Sequence, residues 1–180
     1  MDQPRTEIMN DVAMATGRLV AAVAGMSDEE LRAPSPLEGW TRGHIAAHVA
    51  RSGDAMRAML SWARTGEGMP GYPSDEARET DIAAGAGRTA GELAADIAGS
   101  ASRFTAEIEA TTDEAWGKVI ETPAGARFPT LEIPARRLVE VELHHTDLAL
   151  GYGPDDWTPG FAAMDLDEPM RQWRADRVAR

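Results

Sequence analysis

At 180 residues with no cysteine and a formal net charge of −12, the chain is long enough to bury about 70% of the surface its unfolded form exposes, and it can hold no disulfide, thiolate metal site or cysteine nucleophile. The acidic balance argues against nucleic acid and anionic membranes as partners, and the longest apolar run, LVAAVAG, is too short to span a bilayer. The first ten residues, MDQPRTEIMN, have no apolar stretch behind their charges and form no signal peptide, so the expected location is the cytoplasm.

Hydrophobic periodicity predicts a first helix over residues 6–23, with Ile8, Val12, Ala15, Leu19 and Val23 on one stripe. Ser27 and Glu30 form a capping-box pattern for a short second piece, and PSPLEGW reads as a loop. Thr41 is the expected N-cap of a long helix over 41–65 that Gly66 stops, with Ile45, Val49, Met56, Leu60 and Ala63 inward. After the loop GEGMPGYP, Ser74 caps a short helix carrying DEAR. Thr89 and Glu92 open a helix to residue 109 with Leu93, Ile97, Phe104 and Ile108 inward. The passage from Trp116 to Ile133 is non-helical, and PAGA can turn a small hairpin there. A further helix is expected over 133–150, with Pro134 in its first turn, and Gly151 and Gly153-Pro154 end it. Thr158-Pro159 starts a last helix that Pro169 breaks or kinks. Four long helices and short extra ones predict an all-α four-helix bundle, a fold that builds its sites from side chains on facing helices.

The chain has four histidines, and they occupy two places: His44 and His48 in RGHIAAHVA, and His144 and His145 in VELHHTDL. Residues four apart on a helix share a face, so His44 and His48 form one pair and Glu140 and His144 another. If the two helices are neighbours, His48, Glu140 and His144 converge. Two imidazoles and a carboxylate suit a zinc-like divalent ion and leave a coordination position open, as catalytic sites do; Fe(II) or Ni(II) fits the same donors. The ordinary alternative is a packed histidine and a helix-surface Glu–His pair. Glu142 and His145 form an E-x-x-H pair, but a di-iron site needs a second such pair and further glutamates on facing helices, which the histidine helix does not offer. His145 is therefore expected to be a packed or solvent-edge residue. Asp147, three residues after His144, can orient a ligand or pair with an arginine. Trp40 is expected to pack at the start of the histidine helix, and Trp62, Trp116, Trp157 and Trp173 to lie in the core or an interface. Arg136 and Arg137 are expected to pair on the surface.

Taken together, PLEGWTRGHIAAHVA, WARTGEGMPGYPSDEAR and VEVELHHTDL resemble the mycothiol-dependent maleylpyruvate isomerases, a family of DinB-like metalloenzymes, in order and in spacing from residue 30 to residue 150. The resemblance implies a DinB-like bundle over residues 1–155 with a zinc held by His48, Glu140 and His144, and a substrate-binding arginine at Arg78, which spacing alone would leave on the surface. It implies mycothiol as the thiol that the chain lacks. The thiolate adds to the cis double bond of maleylpyruvate, the resulting single bond rotates, and elimination returns fumarylpyruvate. The expected partners are thus a small-molecule thiol and an anionic substrate. Two features depart from the family: residues 156–180 read as a helical tail where the family continues into a smaller C-terminal domain, and Val139 stands where an arginine is usual. A thiol S-transferase on the same bundle, a metal-binding bundle without turnover and a non-haem iron oxygenase are the alternative readings.

Overall fold

The computed structural model describes residues 3–179 and shows an all-α protein with one small hairpin. Its helices are α1 (Gln3–Ala24), α2 (Asp28–Arg32), α3 (Arg42–Thr65), α4 (Asp75–Ala86), α5 (Ala90–Ala110), α6 (Asp113–Trp116), α7 (Ile133–Asp147), α8 (Pro159–Ala163) and α9 (Met170–Val178). Strands β1 (Val119–Glu121) and β2 (Arg127–Pro129) pair antiparallel between α6 and α7, with Ile120 opposite Phe128. The long helices α1, α5, α3 and α7 form a closed ring in which each touches the next, the arrangement of a four-helix bundle. No helix among the described residues is long and apolar enough to cross a membrane.

Local chemistry sets the helix ends. Ser27 with Glu30 and Thr89 with Glu92 close the two expected capping boxes, each hydroxyl accepting from the N3 amide while the glutamate accepts from the cap amide. Gly66 stops α3 in the left-handed conformation, at φ 73°, where a side chain would be strained. The bundle interior is the expected stripe of each helix: Val12, Leu19 and Val23 of α1, Ile45 and Val49 of α3, Leu93 and Ile97 of α5, and Leu138 and Val141 of α7. A second apolar cluster joins the far half of the bundle to the hairpin through Leu60, Phe104, Trp116, Ile120, Phe128 and Ile133.

Several expectations are corrected. α7 ends at Asp147 and not at residue 150, because Ala149 and Gly151 take positive φ and turn the chain. The break expected at Pro169 is present but wider than one residue: α8 ends at Ala163, and Pro169 stands at the start of α9. The short helix α6, capped by the Thr112 hydroxyl, was not anticipated. Arg137 is fully buried instead of lying on the surface: Nη1 donates to the Val49 carbonyl at 2.9 Å. Position 137 falls at four-residue spacing between Ile133 and Val141, both buried, so the stripe overrides the charge. Burial lowers its pKa to about 10, against the opposing charges of Glu140 and Asp54. Of the core or interface places expected for Trp173, the core is excluded, since the residue is 42% exposed.

Candidate metal and substrate site

α3 carries His44, His48 and Ser52 at four-residue intervals, and they do three different things. His44 caps its own helix: its Nδ1 accepts from the Thr41 amide at 3.3 Å and lies 2.8 Å from the Thr41 hydroxyl, in the place a glutamate takes in an ordinary capping box. His48, one turn on, is buried and points across to α7. Trp40 stands over both rings, at 6.3 Å from His44 and edge-on at 5.4 Å from His48, and so fixes the start of the helix as the sequence suggests.

From α7, Glu140 and His144 meet His48. His48 Nε2 lies 2.9 Å from Glu140 Oε2, and His144 Nε2 lies 3.7 Å from the same oxygen. The two imidazoles meet edge to face at 4.6 Å. One ligand-type atom from each of the three side chains lies within 4.8 Å of the others. Two imidazole nitrogens and one carboxylate oxygen converging from two rigid helices fit a zinc-type divalent ion as donor set and as spacing. Burial lowers the His48 pKa, so the ring is neutral near pH 7, as a metal ligand must be. Burial pushes Glu140 up, but hydrogen bonds from His48 and Ser52 and the neighbouring imidazoles bring it well below the usual carboxylate range.

Glu142 and His145 take no part in this cluster. Glu142 accepts from the Tyr152 hydroxyl at 2.5 Å and from the Thr158 amide at 2.9 Å, which ties α7 to the chain that follows it. His145 stacks on Tyr152 with ring centroids 3.6 Å apart.

The cluster opens on a cavity of about 560 Å³, within the range of small-molecule sites. Arg78 of α4 reaches its wall, with Nη2 3.2 Å from His48 Nδ1 and Cζ 5.8 Å from the Trp40 ring. Its other nitrogen pairs with Glu79. Sequence reasoning missed four polar residues of the cavity wall. Ser52 carried a weak signal, being four residues after His48. Tyr72, from the loop before α4, brings a buried hydroxyl with no hydrogen-bond partner among the described residues, and burial raises its pKa. Asp176 and Arg177 come from α9, and no local pattern connects them to the site. Asp147 does both things the sequence allowed: Oδ2 lies 3.1 Å from His144 Nδ1, and Arg177 grips the same carboxylate.

A family model described as the mycothiol maleylpyruvate isomerase N-terminal domain matches residues 12–149. The fold is similar to that of a solved mycothiol-dependent maleylpyruvate isomerase, with 31% identity and a TM-score of 0.80 over 89% of this chain and 67% of that one. A histidine-to-alanine mutant of that isomerase matches with 30% identity, the same TM-score and the same coverage. A search of curated proteins by sequence gives no match.

Proposed function

The chain belongs to the mycothiol maleylpyruvate isomerase N-terminal domain family, and from that membership we propose that it is a metal- and thiol-dependent cis–trans isomerase acting on maleylpyruvate or a similar unsaturated dicarboxylate, with mycothiol as the thiol. The observation that carries this reading is the convergence of His48, Glu140 and His144 at a cavity that Arg78 also lines. A divalent metal such as zinc, held by those three residues, would supply Lewis acidity that favours the thiolate of an incoming thiol near neutral pH.

The chain's own residues supply the rest. Arg78 offers a fork of N–H donors to a substrate carboxylate, a fixed local cation in a protein whose overall field repels dianions. Tyr72 keeps its proton, because burial raises its pKa, and donates to a substrate oxygen on which negative charge develops. Leu37, Met56 and Met59 cover the apolar side of the cavity and limit access of water. With no cysteine in the chain, the nucleophile is an added small molecule.

The test is turnover of maleylpyruvate by zinc-reconstituted protein with and without mycothiol. Isomerisation to the trans product only in the presence of thiol is expected. Full activity in thiol-free buffer would refute the proposal, and accumulation of a stable thioether would assign the chain to the S-transferases instead.

A further inference from the structure

The stretch that the sequence presents as a tail reaches the site. α9 carries Trp173, Asp176 and Arg177 onto the wall of the cavity that holds His48, Glu140 and His144. Arg177 is 8% exposed and grips the fully buried Asp147 carboxylate with Nε at 3.2 Å and Nη2 at 2.7 Å. Arg174, one turn earlier, holds α9 in place by donating to the Phe161 and Met164 carbonyls at 2.9 and 2.8 Å.

Asp147 Oδ2, the oxygen nearest Arg177, is 3.1 Å from His144 Nδ1. An ionised carboxylate only accepts, so His144 carries its proton on Nδ1, and its lone pair lies on Nε2, the nitrogen that faces Glu140. His48 is set the other way. Its Nδ1 faces the Arg78 guanidinium, which only donates, so its proton lies on Nε2 toward Glu140. Of the two imidazoles, only His144 already presents a free nitrogen to the cluster.

We propose that α9 is a positioning element of the metal site, in which Arg177, acting through Asp147, fixes the tautomer and orientation of His144. The proposal rests on reading His48, Glu140 and His144 as metal ligands. Its physics is one of orientation: with Arg177 removed, the fully buried Asp147 carboxylate loses the two-pronged grip, Nε on Oδ1 and Nη2 on Oδ2, that fixes its direction. A carboxylate that turns no longer holds the His144 proton on Nδ1. Residues that orient a metal-bound histidine from behind typically change metal affinity about 10–100-fold when replaced.

The test measures zinc affinity of the metal-stripped full chain by competition with a chromophoric chelator. The proteins are wild type, Arg177→Met, Arg177→Lys, Asp147→Asn and the double variant Arg177→Met with Asp147→Asn. The ¹⁵N shifts of the His144 ring are recorded in each metal-free protein. Arg177→Met and Asp147→Asn are expected to weaken zinc about 10–100-fold and to lose the single Nδ1–H signature. The double variant is expected to be no weaker than the worse single variant, because both changes break one relay. Arg177→Lys keeps the charge without the two-pronged grip and is expected to fall between wild type and Arg177→Met; it carries the test if Arg177→Met does not fold. Wild-type affinity and an unchanged His144 tautomer in a folded Arg177 variant would overturn the proposal, and so would losses that multiply in the double variant. A wild-type protein that binds no zinc would instead overturn the metal reading on which the proposal stands.

Discussion

The Arg78 guanidinium lies 3.2 Å from His48 Nδ1, thirty residues away in the chain, and so sits at the mouth of the histidine–glutamate cluster. A guanidinium grips a carboxylate through two parallel hydrogen bonds, which an ammonium cannot reproduce. A partly desolvated contact of this kind is worth about 2–4 kcal/mol, part of the loss coming from the substrate charge left unpaired. Arg78→Lys is therefore expected to lower kcat/KM about ten- to several-hundred-fold with metal content intact. Thiol-dependent kinetics and metal analysis on one preparation check this, and wild-type kinetics would place the substrate carboxylate elsewhere.

Removal of single ligands gives a second expectation. His48→Ala, Glu140→Gln and His144→Ala each leave two of three donors, and each is expected to lose stoichiometric zinc after gel filtration. His145→Ala is expected to retain it, because that ring stacks on Tyr152 away from the cluster. Metal analysis of the four proteins decides. Full occupancy in His48→Ala would show that the three residues are not the ligand set.

The features legible in the sequence were local ones. Caps at Ser27, Thr41 and Thr89 act within three residues, and the pairing of Glu140 with His144 follows from one helical turn. The meeting of His48 with that pair required only that α3 and α7 be neighbours. Tyr72 and Arg177 were not legible, because a loop and a terminal helix reach the site through tertiary packing that no periodicity encodes. Arg137 was misread for a different reason: its position on the buried stripe was visible, but charge type was given more weight than position. The role of His44 hid behind its neighbour, since four-residue spacing places it with His48, while Thr41 draws its ring back to the cap.

The contact between α3 and α4, which brings His48 and Arg78 together, depends on a close approach at Gly43. A Cβ there would lie 2.3 Å from the Ala86 carbonyl oxygen, a backbone atom at the end of α4. Gly43→Ala is expected to destabilise the fold by about 1–3 kcal/mol, since neither helix can yield without moving the other. Gly17 in α1 is the contrasting control, with nothing within 4 Å of an added Cβ. Gly17→Ala is expected to stabilise by about 0.5–1 kcal/mol, through helix propensity and a less flexible unfolded chain. Urea denaturation of the two variants checks both signs, and a neutral Gly43→Ala would mean that the α3–α4 contact is looser than the geometry indicates.

The final prediction concerns pH and the histidine outside the site. His145 is 5% exposed, stacks on Tyr152, and has no hydrogen-bond partner for Nδ1 among the described residues. Burial lowers its pKa to about 4, against the charge of Asp156, which raises it; Arg18 lowers it further. In the unfolded chain the same group titrates near 6.5. Between those values the unfolded state binds the proton more readily than the folded one. The stability contributed by neutral His145 is therefore complete above pH 6.5 and is lost as pH falls toward 4. Allowing for solvent near the ring, the loss across that window is on the order of 2 kcal/mol. His145→Gln removes the titration, so its stability is expected to fall less steeply than that of wild type between pH 7.5 and pH 4.5. Urea unfolding of the two metal-stripped proteins at both pH values measures the difference directly, with the other carboxylates and His48 common to both. Parallel pH slopes would show that the His145 ring is hydrated or finds an acceptor when protonated, and that its burial carries no proton-linked stability.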